Sequence, residues 1–407
     1  MADEVEIESL GAQGDGVAEG GTLFVPFTLP GERVRVVRHG ERGRAEAILR
    51  KSRDRAQPAC PHFGTCGGCA LQHAGERFTA LWKRDLVVTA LAARGITEIA
   101  VLPTITSPAE SRRRITLAAT RTRKGTVIGF HGRADASIVP IETCTVAEPA
   151  LIAVIPKLEE LVATAASRKG EVKITLTLTN GGVDAAVMDA KVLEGPKKAL
   201  LAGVAARAGL ARLGWNGEEV ASMGEPVVTM GRARVKPPPG GFLQPTRAGE
   251  AALLEAVREA VGGAGRIADL YCGSGTFTLP LAEQAEVLAF EGDGAAVAAL
   301  DAAWRAAPGL KRVVAERRDL HHRPLLAPEF KGIEAVVIDP PRAGARNQTE
   351  QLAHARVPRI AFISCNPATF ARDARMLIDG GYRLDWVQPV DQFRWSPHVE
   401  LAAGFTR

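Results

Sequence analysis

The sequence predicts a multidomain α/β protein. A small N-terminal β-barrel, a central α+β domain and a C-terminal doubly wound, Rossmann-like domain are expected. Three observations predict this. Short β-rich runs between glycines fill residues 1–55, Pro237-Pro238-Pro239-Gly240-Gly241 punctuates the chain, and strand–helix alternation follows it. The expected divisions are 1–55, 56–236 and 237–407. The 407 residues leave room for two to four domains at roughly 100–200 residues each.

The N-terminal runs are Val5, Ile7 and Leu10, then Thr22 to Phe27, then Val34, Val36 and Val37, with glycines between them. Small barrels of the OB type bind single-stranded RNA in many proteins, and a purely structural cap has the same strand pattern. In the central part, Arg77 to Ala93 carries Leu81, Leu86 and Leu91 and predicts a helix. Lys173 to Thr179 alternates strictly, as a half-buried strand does. In the C-terminal part, Ile267–Tyr271, Val287–Phe290, Ala335–Ile338 and Ile360–Ile363 read as parallel strands separated by alanine-rich helices.

Composition removes several classes. At 46% apolar and 24% charged, with mean hydropathy near zero, the chain is not a disordered one. No apolar run approaches the roughly twenty residues of a membrane span. The start, Met1-Ala2-Asp3-Glu4-Val5-Glu6, is acidic and lacks an apolar signal core. Six cysteines are too few for a disulfide scaffold. A cytoplasmic protein, monomeric and away from membranes, is expected. Basic residues cluster at Arg33–Arg55 and at Arg112–Lys124, which fits a polyanion such as RNA; a solvated basic face has the same composition.

The segment Asp269-Leu270-Tyr271-Cys272-Gly273-Ser274-Gly275-Thr276-Phe277 stands where the first parallel strand turns into a helix. Its glycines, Gly273 among them, let backbone approach a ligand closely. Glu291 ends the next strand, where an acid reaches ribose hydroxyls, and Asp319 ends a further segment and is expected to face a base ring. The lysine of a phosphate loop is absent, so a nucleoside-containing cofactor other than ATP or GTP is expected, with a dinucleotide still open. Cys272 within the turn reads as a packing residue.

Asp339 and Cys365 lie in Asp339-Pro340-Pro341-Arg342 and Ser364-Cys365-Asn366-Pro367, at the carboxyl ends of later strands. Ligands of open α/β sheets bind there. A thiolate adds to C6 of a pyrimidine and makes C5 an enolate carbon. That carbon then attacks the sulfonium methyl of S-adenosylmethionine, and a base must remove the C5 proton to release the thiol. Cys365, Glu400 and the Gly273/Glu291 turn supply this set. Their plainer readings are a core cysteine and a surface ion pair; His398 reads as a structural hydrogen-bonding residue.

Cys60, Cys66, Cys69 and the isolated Cys144 form a thiol set whose spacing suits tetrahedral zinc and a [4Fe-4S] cluster equally. His62 and His73 are not needed as ligands.

Together, Asp269–Phe277, Asp339–Arg342, Ser364–Pro367 and His398-Val399-Glu400 resemble the RNA 5-methyluridine (uracil-C5) methyltransferase family. The resemblance covers essentially the whole chain. Gly14–Ala18, Val25-Pro26 and Pro30–Glu32 resemble the family's TRAM domain, and residues 112–144 are similar as well. The resemblance implies Cys365 as nucleophile and Glu400 as base. It implies Gln244, Tyr271, Glu291 and Asp339 at the cofactor and active-site region, and a [4Fe-4S] cluster on Cys60, Cys66, Cys69 and Cys144 with a structural role. It also implies 23S rRNA over tRNA as substrate, because tRNA-directed bacterial members generally lack both the TRAM domain and the cluster. Thr246, Thr276, Arg394 and Ser396 depart from the family pattern, which usually has Asn, Asn, Pro and Thr there.

Four rivals are weaker. Cytosine-5 enzymes carry a second cysteine in the motif where Asp339-Pro340-Pro341 stands, and adenine-N6 enzymes place an aromatic where Arg342 stands. A non-catalytic assembly factor has no need of both Cys365 and Glu400. A redox protein would carry a flavin or dinucleotide signature beyond one glycine turn.

Overall fold

The computed structural model describes residues 3–133, 136–166 and 170–407; residues 1 and 2 of the expected barrel lie outside them. The N-terminal part is a six-stranded sheet built on Asp3–Glu6, Ser9–Leu10, Gly16–Ala18, Leu23–Val25, Arg33–His39 and Arg42–Arg50. Its two edge strands, Asp3–Glu6 and Ser9–Leu10, are successive pieces of one bent stretch. The sheet therefore closes on itself, and Val5, Ile7, Leu23, Val25, Val34 and Val36 fill its interior. Period-two burial along Arg33–His39 explains why valines alternate there with arginines.

The central part is a seven-stranded sheet reaching from Arg114–Arg121 to Glu218–Ser222. Helices Pro149–Val154, Glu159–Ala165 and Gly195–Ala208 cover one face through Leu151, Leu161, Leu201 and Val204. The expected strand forms as Glu171–Thr179 and pairs on both sides.

The C-terminal part is a nine-stranded sheet. Its order is Val313–Arg317, Glu286–Glu291, Arg266–Leu270, Ala335–Ile338, Arg359–Ser364, Glu400–Thr406 and Arg383–Asp391, then Ala100–Val101 at the edge, with Ile105–Thr106 also on Arg383–Asp391. The first five are parallel, and Glu400–Thr406 runs antiparallel between its neighbours. Strand order reverses between Arg266–Leu270 and Ala335–Ile338. That switch point opens a crevice at the carboxyl ends. Helix Arg247–Val261 packs one face through Leu253 and Val257, and Pro367–Asp379 packs the other through Phe370 and Leu377.

Two stretches within 56–236 attach to this C-terminal sheet. Helix Glu76–Ala92, one residue offset from the expected Arg77–Ala93, buries Val87 and Leu91 in the same core as Phe362 and Phe370. The hairpin Val228–Met230 and Ala233–Val235 packs on Cys272, Leu279 and Leu300. The hairpin thus joins the C-terminal unit although it precedes the polyproline punctuation, while the punctuation itself touches the central sheet, where Arg212 donates to the Pro237 carbonyl at 2.8 Å and Arg114 to the Gly240 carbonyl at 3.0 Å.

Candidate active site at the strand ends

The glycine turn leaves Arg266–Leu270 with Tyr271 at φ 63°, Gly273 at φ 55° and Gly275 at φ 103°. At Gly275 a Cβ would meet Leu300 at 2.6 Å, so only glycine lets the turn pack. The Tyr271 and Cys272 amides donate to the Phe290 carbonyl, which ties the turn to the neighbouring strand. Cys272 is buried behind it. Glu291, half-buried, accepts from the Gly273 amide at 3.0 Å and the Asp293 amide at 2.8 Å. Asp319 stands exposed at the rim, accepting from the His321 amide at 3.0 Å. Asp319, Asp373 and Glu291 together with burial push the Tyr271 hydroxyl up to about 12, so this side of the crevice is acidic.

The other side carries the reactive groups. Asp339 follows Ala335–Ile338, and Cys365 follows Arg359–Ser364. Ser364 pairs with Leu401 as the last pair of the two strands, and just beyond it Cys365 lies close enough to Glu400 for that charge to act on its thiol. Burial pushes the Cys365 thiol up to about 11, with Glu400 and Asp339 adding to the rise and Arg342 opposing it. Glu400 is buried, which lifts its carboxyl to about 7 against a hydrogen bond from Gln392. Burial, then the charges of Glu400 and Asp269, hold Asp339 well above the usual carboxylate range.

Amides join these acids. Gln244 Nε2 donates to Asp339 Oδ2 at 3.3 Å, and Gln244 Oε1 accepts from Gln392 Nε2 at 2.7 Å. Gln392 Nε2 also donates to Glu400 Oε2. The turn before Glu400 is fixed by a buried ion pair. Lys83 binds Asp391 and donates to the Phe393 carbonyl at 3.1 Å. Sequence reasoning passed over Gln392, Lys83 and Asp391; the Gln392 signal available was a polar residue inside the terminal motif. His398 lies edge-on to Phe393 at 6.0 Å, with its imidazole pushed down by burial and by Arg342, Lys83 and Arg112.

The four expected thiol ligands also meet. Cys60, Cys66, Cys69 and Cys144 line one cavity of about 640 Å3 that continues to Phe393, Pro397 and His398. All four are free thiols. Burial pushes the Cys69 thiol up to about 12, and the charges of the other three add to the rise. Among the described residues, no group of three His, Cys, Asp or Glu side chains is placed to hold one metal ion. The cavity is tied to the Glu400 turn, because the Ala70 and Leu71 amides both donate to the Trp395 carbonyl, at 2.8 and 2.9 Å.

Residues 223–406 match the tRNA (uracil-5-)-methyltransferase family, and full-length relatives are RNA methyltransferases, so the chain is of that class. An uncharacterized RNA methyltransferase of Brucella suis is 44% identical over 406 residues, covering 99% of this chain and 98% of the relative. The 23S rRNA (uracil(1939)-C(5))-methyltransferase RlmD of Chromohalobacter salexigens is 33% identical, covering all of this chain and 90% of the relative. The crystal structure of Pyrococcus abyssi tRNA (uracil-54, C5)-methyltransferase with S-adenosyl-L-homocysteine superposes with a TM-score of 0.78 at 25% identity, covering 99% of each chain. This chain belongs to the RNA uracil-C5 methyltransferase family, and it is an enzyme of that type.

Proposed function

We propose that this enzyme methylates C5 of uracil in 23S rRNA, with S-adenosylmethionine as methyl donor. The observation that carries the reading is the closeness of Cys365, Glu400 and Asp339 just past the last Ser364–Leu401 pair, where the charges of both carboxyl groups act on the thiol. The Cys365 thiol, half-exposed, releases its proton to water as its sulfur bonds to C6 of an extruded uracil, and the C5–C6 π electrons move toward O4. S-adenosylmethionine supplies an electrophilic methyl group, which C5 takes as the S–CH3 electrons stay on the departing S-adenosyl-L-homocysteine. Glu400 then removes the C5 proton, the C5–H electrons re-form the double bond, and the S–C6 electrons return to Cys365. A base in a helix is out of reach, so extrusion costs a few kcal/mol, which pocket contacts offset. Gly273, Tyr271, Glu291 and Asp319 hold the donor's nucleoside, with Gln244 and Asp339 at the junction of donor and target base.

The higher identity to the 23S rRNA enzyme favours that substrate, and the N-terminal barrel, read as TRAM-type, supplies an RNA grip. A tRNA uracil is the second reading, favoured by the full-length likeness to the Pyrococcus abyssi enzyme. The thiol set fits a [4Fe-4S] cluster. Four free thiols line one cavity, burial pushes the Cys66 and Cys69 thiols up, and a cationic iron centre would relieve that cost. Cys60, Cys66, Cys69 and Cys144 would hold it, and it would brace the turn that presents Glu400.

The test uses 5-fluorouridine-substituted 23S rRNA and tRNA with S-adenosylmethionine. Fluorine at C5 blocks proton removal. A denaturation-stable adduct with the rRNA, absent from Cys365→Ala, is expected. An adduct in that variant would refute the assignment of the nucleophile, and an adduct with tRNA alone would favour the second reading.

A further inference from the structure

We propose that Gln392 is a positioning residue for proton removal, locking Glu400 as a proton acceptor and aligning Gln244 through the same amide. The inference rests on the reading of Glu400 as the base.

Gln392 is 1% exposed and follows the strand Arg383–Asp391. Its Nε2 has two N–H groups and two acceptors, Gln244 Oε1 at 2.7 Å and Glu400 Oε2. Gln244 in turn spends its own Nε2 on Asp339 Oδ2. Two carboxyl groups are thus joined by two amides, and the direction of every bond is set. Gln392 Oε1 is buried without a partner. It lies against Gly249, where a Cβ would come within 2.4 Å of it. Turning the amide over would set its oxygen against the oxygens of Gln244 and Glu400 and leave its NH2 facing a glycine with nothing to accept. The amide is therefore held in one orientation, as a donor toward Glu400.

A fixed donor favours the ionised carboxylate over the acid. Burial opposes it and raises the Glu400 carboxyl, and Asp339 and the Cys365 thiol are the ionisable groups that feel the Glu400 charge. Arg342 faces Cys365 and His398, and Lys83 is committed to Asp391. Gln392 is thus the neutral donor that keeps Glu400 able to take a proton near neutral pH.

The test measures kcat and KM against pH for the full chain with uridine-containing rRNA, in Gln392→Met and in Gly249→Ala. The first removes the donor; the second keeps it and crowds it out of line. The expected result is an acid limb of kcat moved up by about one unit in both, a roughly tenfold loss at pH 6 that narrows at pH 9. KM for RNA stays unchanged, and the Cys365–RNA adduct accumulates on ordinary uridine. Trapping on 5-fluorouridine RNA, which needs no proton removal, stays at the parent rate and reports intact folding. An unmoved limb in both variants overturns the proposal. So does loss of trapping in both, which would place Gln392 in the addition step. Failure of the parent chain to trap, or trapping by Cys365→Ala, refutes the underlying reading instead and is seen without either variant.

Discussion

At the strand ends, Asp339, Gln244, Gln392 and Glu400 hold one another through amide donors. Around the cysteine cavity, burial and mutual charge push the Cys66 and Cys69 thiols up. Both hollows are lined by reactive groups. The crevice is completed by the chain's own hydrogen bonds, so its acids are already aligned. The cavity gathers its four thiols beside Arg112 and Arg114, and the Arg112 guanidinium lies close enough to Cys69 and Cys144 to feel their charge. The contrast teaches that the first site is aligned by direct hydrogen bonds between its acids and amides, while the second gathers thiols beside arginines.

Five further experiments sharpen or break this contrast. The largest effect is expected in the crevice. Cys365→Ala should lower methyl transfer on the order of 10⁴-fold or more, measured by tritium transfer from labelled S-adenosylmethionine. Glu400→Gln should lower turnover by about 10²–10⁴-fold while the covalent RNA adduct accumulates on gels. Because Glu400 titrates at about 7, its base form is lost as pH falls through that value. Parent kcat should therefore drop about tenfold per unit below it, and a flat profile down to pH 5 would remove Glu400 from the role.

Next comes the support beneath the crevice. Lys83→Met leaves Asp391 buried without its partner and should cost about 3–5 kcal/mol in denaturant unfolding. The double variant Lys83→Met with Asp391→Leu should recover much of that loss. The smallest effect belongs to the cavity. On the proposed cluster, Cys144→Ser should lower stability by about 3 kcal/mol and leave S-adenosylmethionine affinity unchanged. Equal loss of donor binding would show the two hollows to be one cooperative site.

Much of the crevice was legible because its signals are local. The four expected parallel strands appear within one or two residues, since unbroken apolar runs mark strands buried on both faces. Cys365 and Glu400 stood out as reactive types at strand ends. The bonds that align them were not legible. Gln392 meets Gln244 across 148 positions, and Lys83 meets Asp391 across 308. No periodicity records such pairs. The strands Ala100–Val101 and Ile105–Thr106 are too short to announce themselves, and they form only because Arg383–Asp391 offers an edge. Cysteine spacing made the four-thiol cavity legible as a set, but spacing alone did not separate one ion from a cluster.

The partnership of Lys83 with Asp391 also has a consequence in time. At roughly 5–20 residues per second, a ribosome needs about 15–60 s to deliver the aspartate after the lysine. Through that interval helix Glu76–Ala92 has emerged while the strands that bury Val87 and Leu91 are still being made. Until then Val87 and Leu91 have no sheet to cover them. A fragment cut at the start of the matched C-terminal region would leave its sheet without that cover, so the catalytic half is not a portable module.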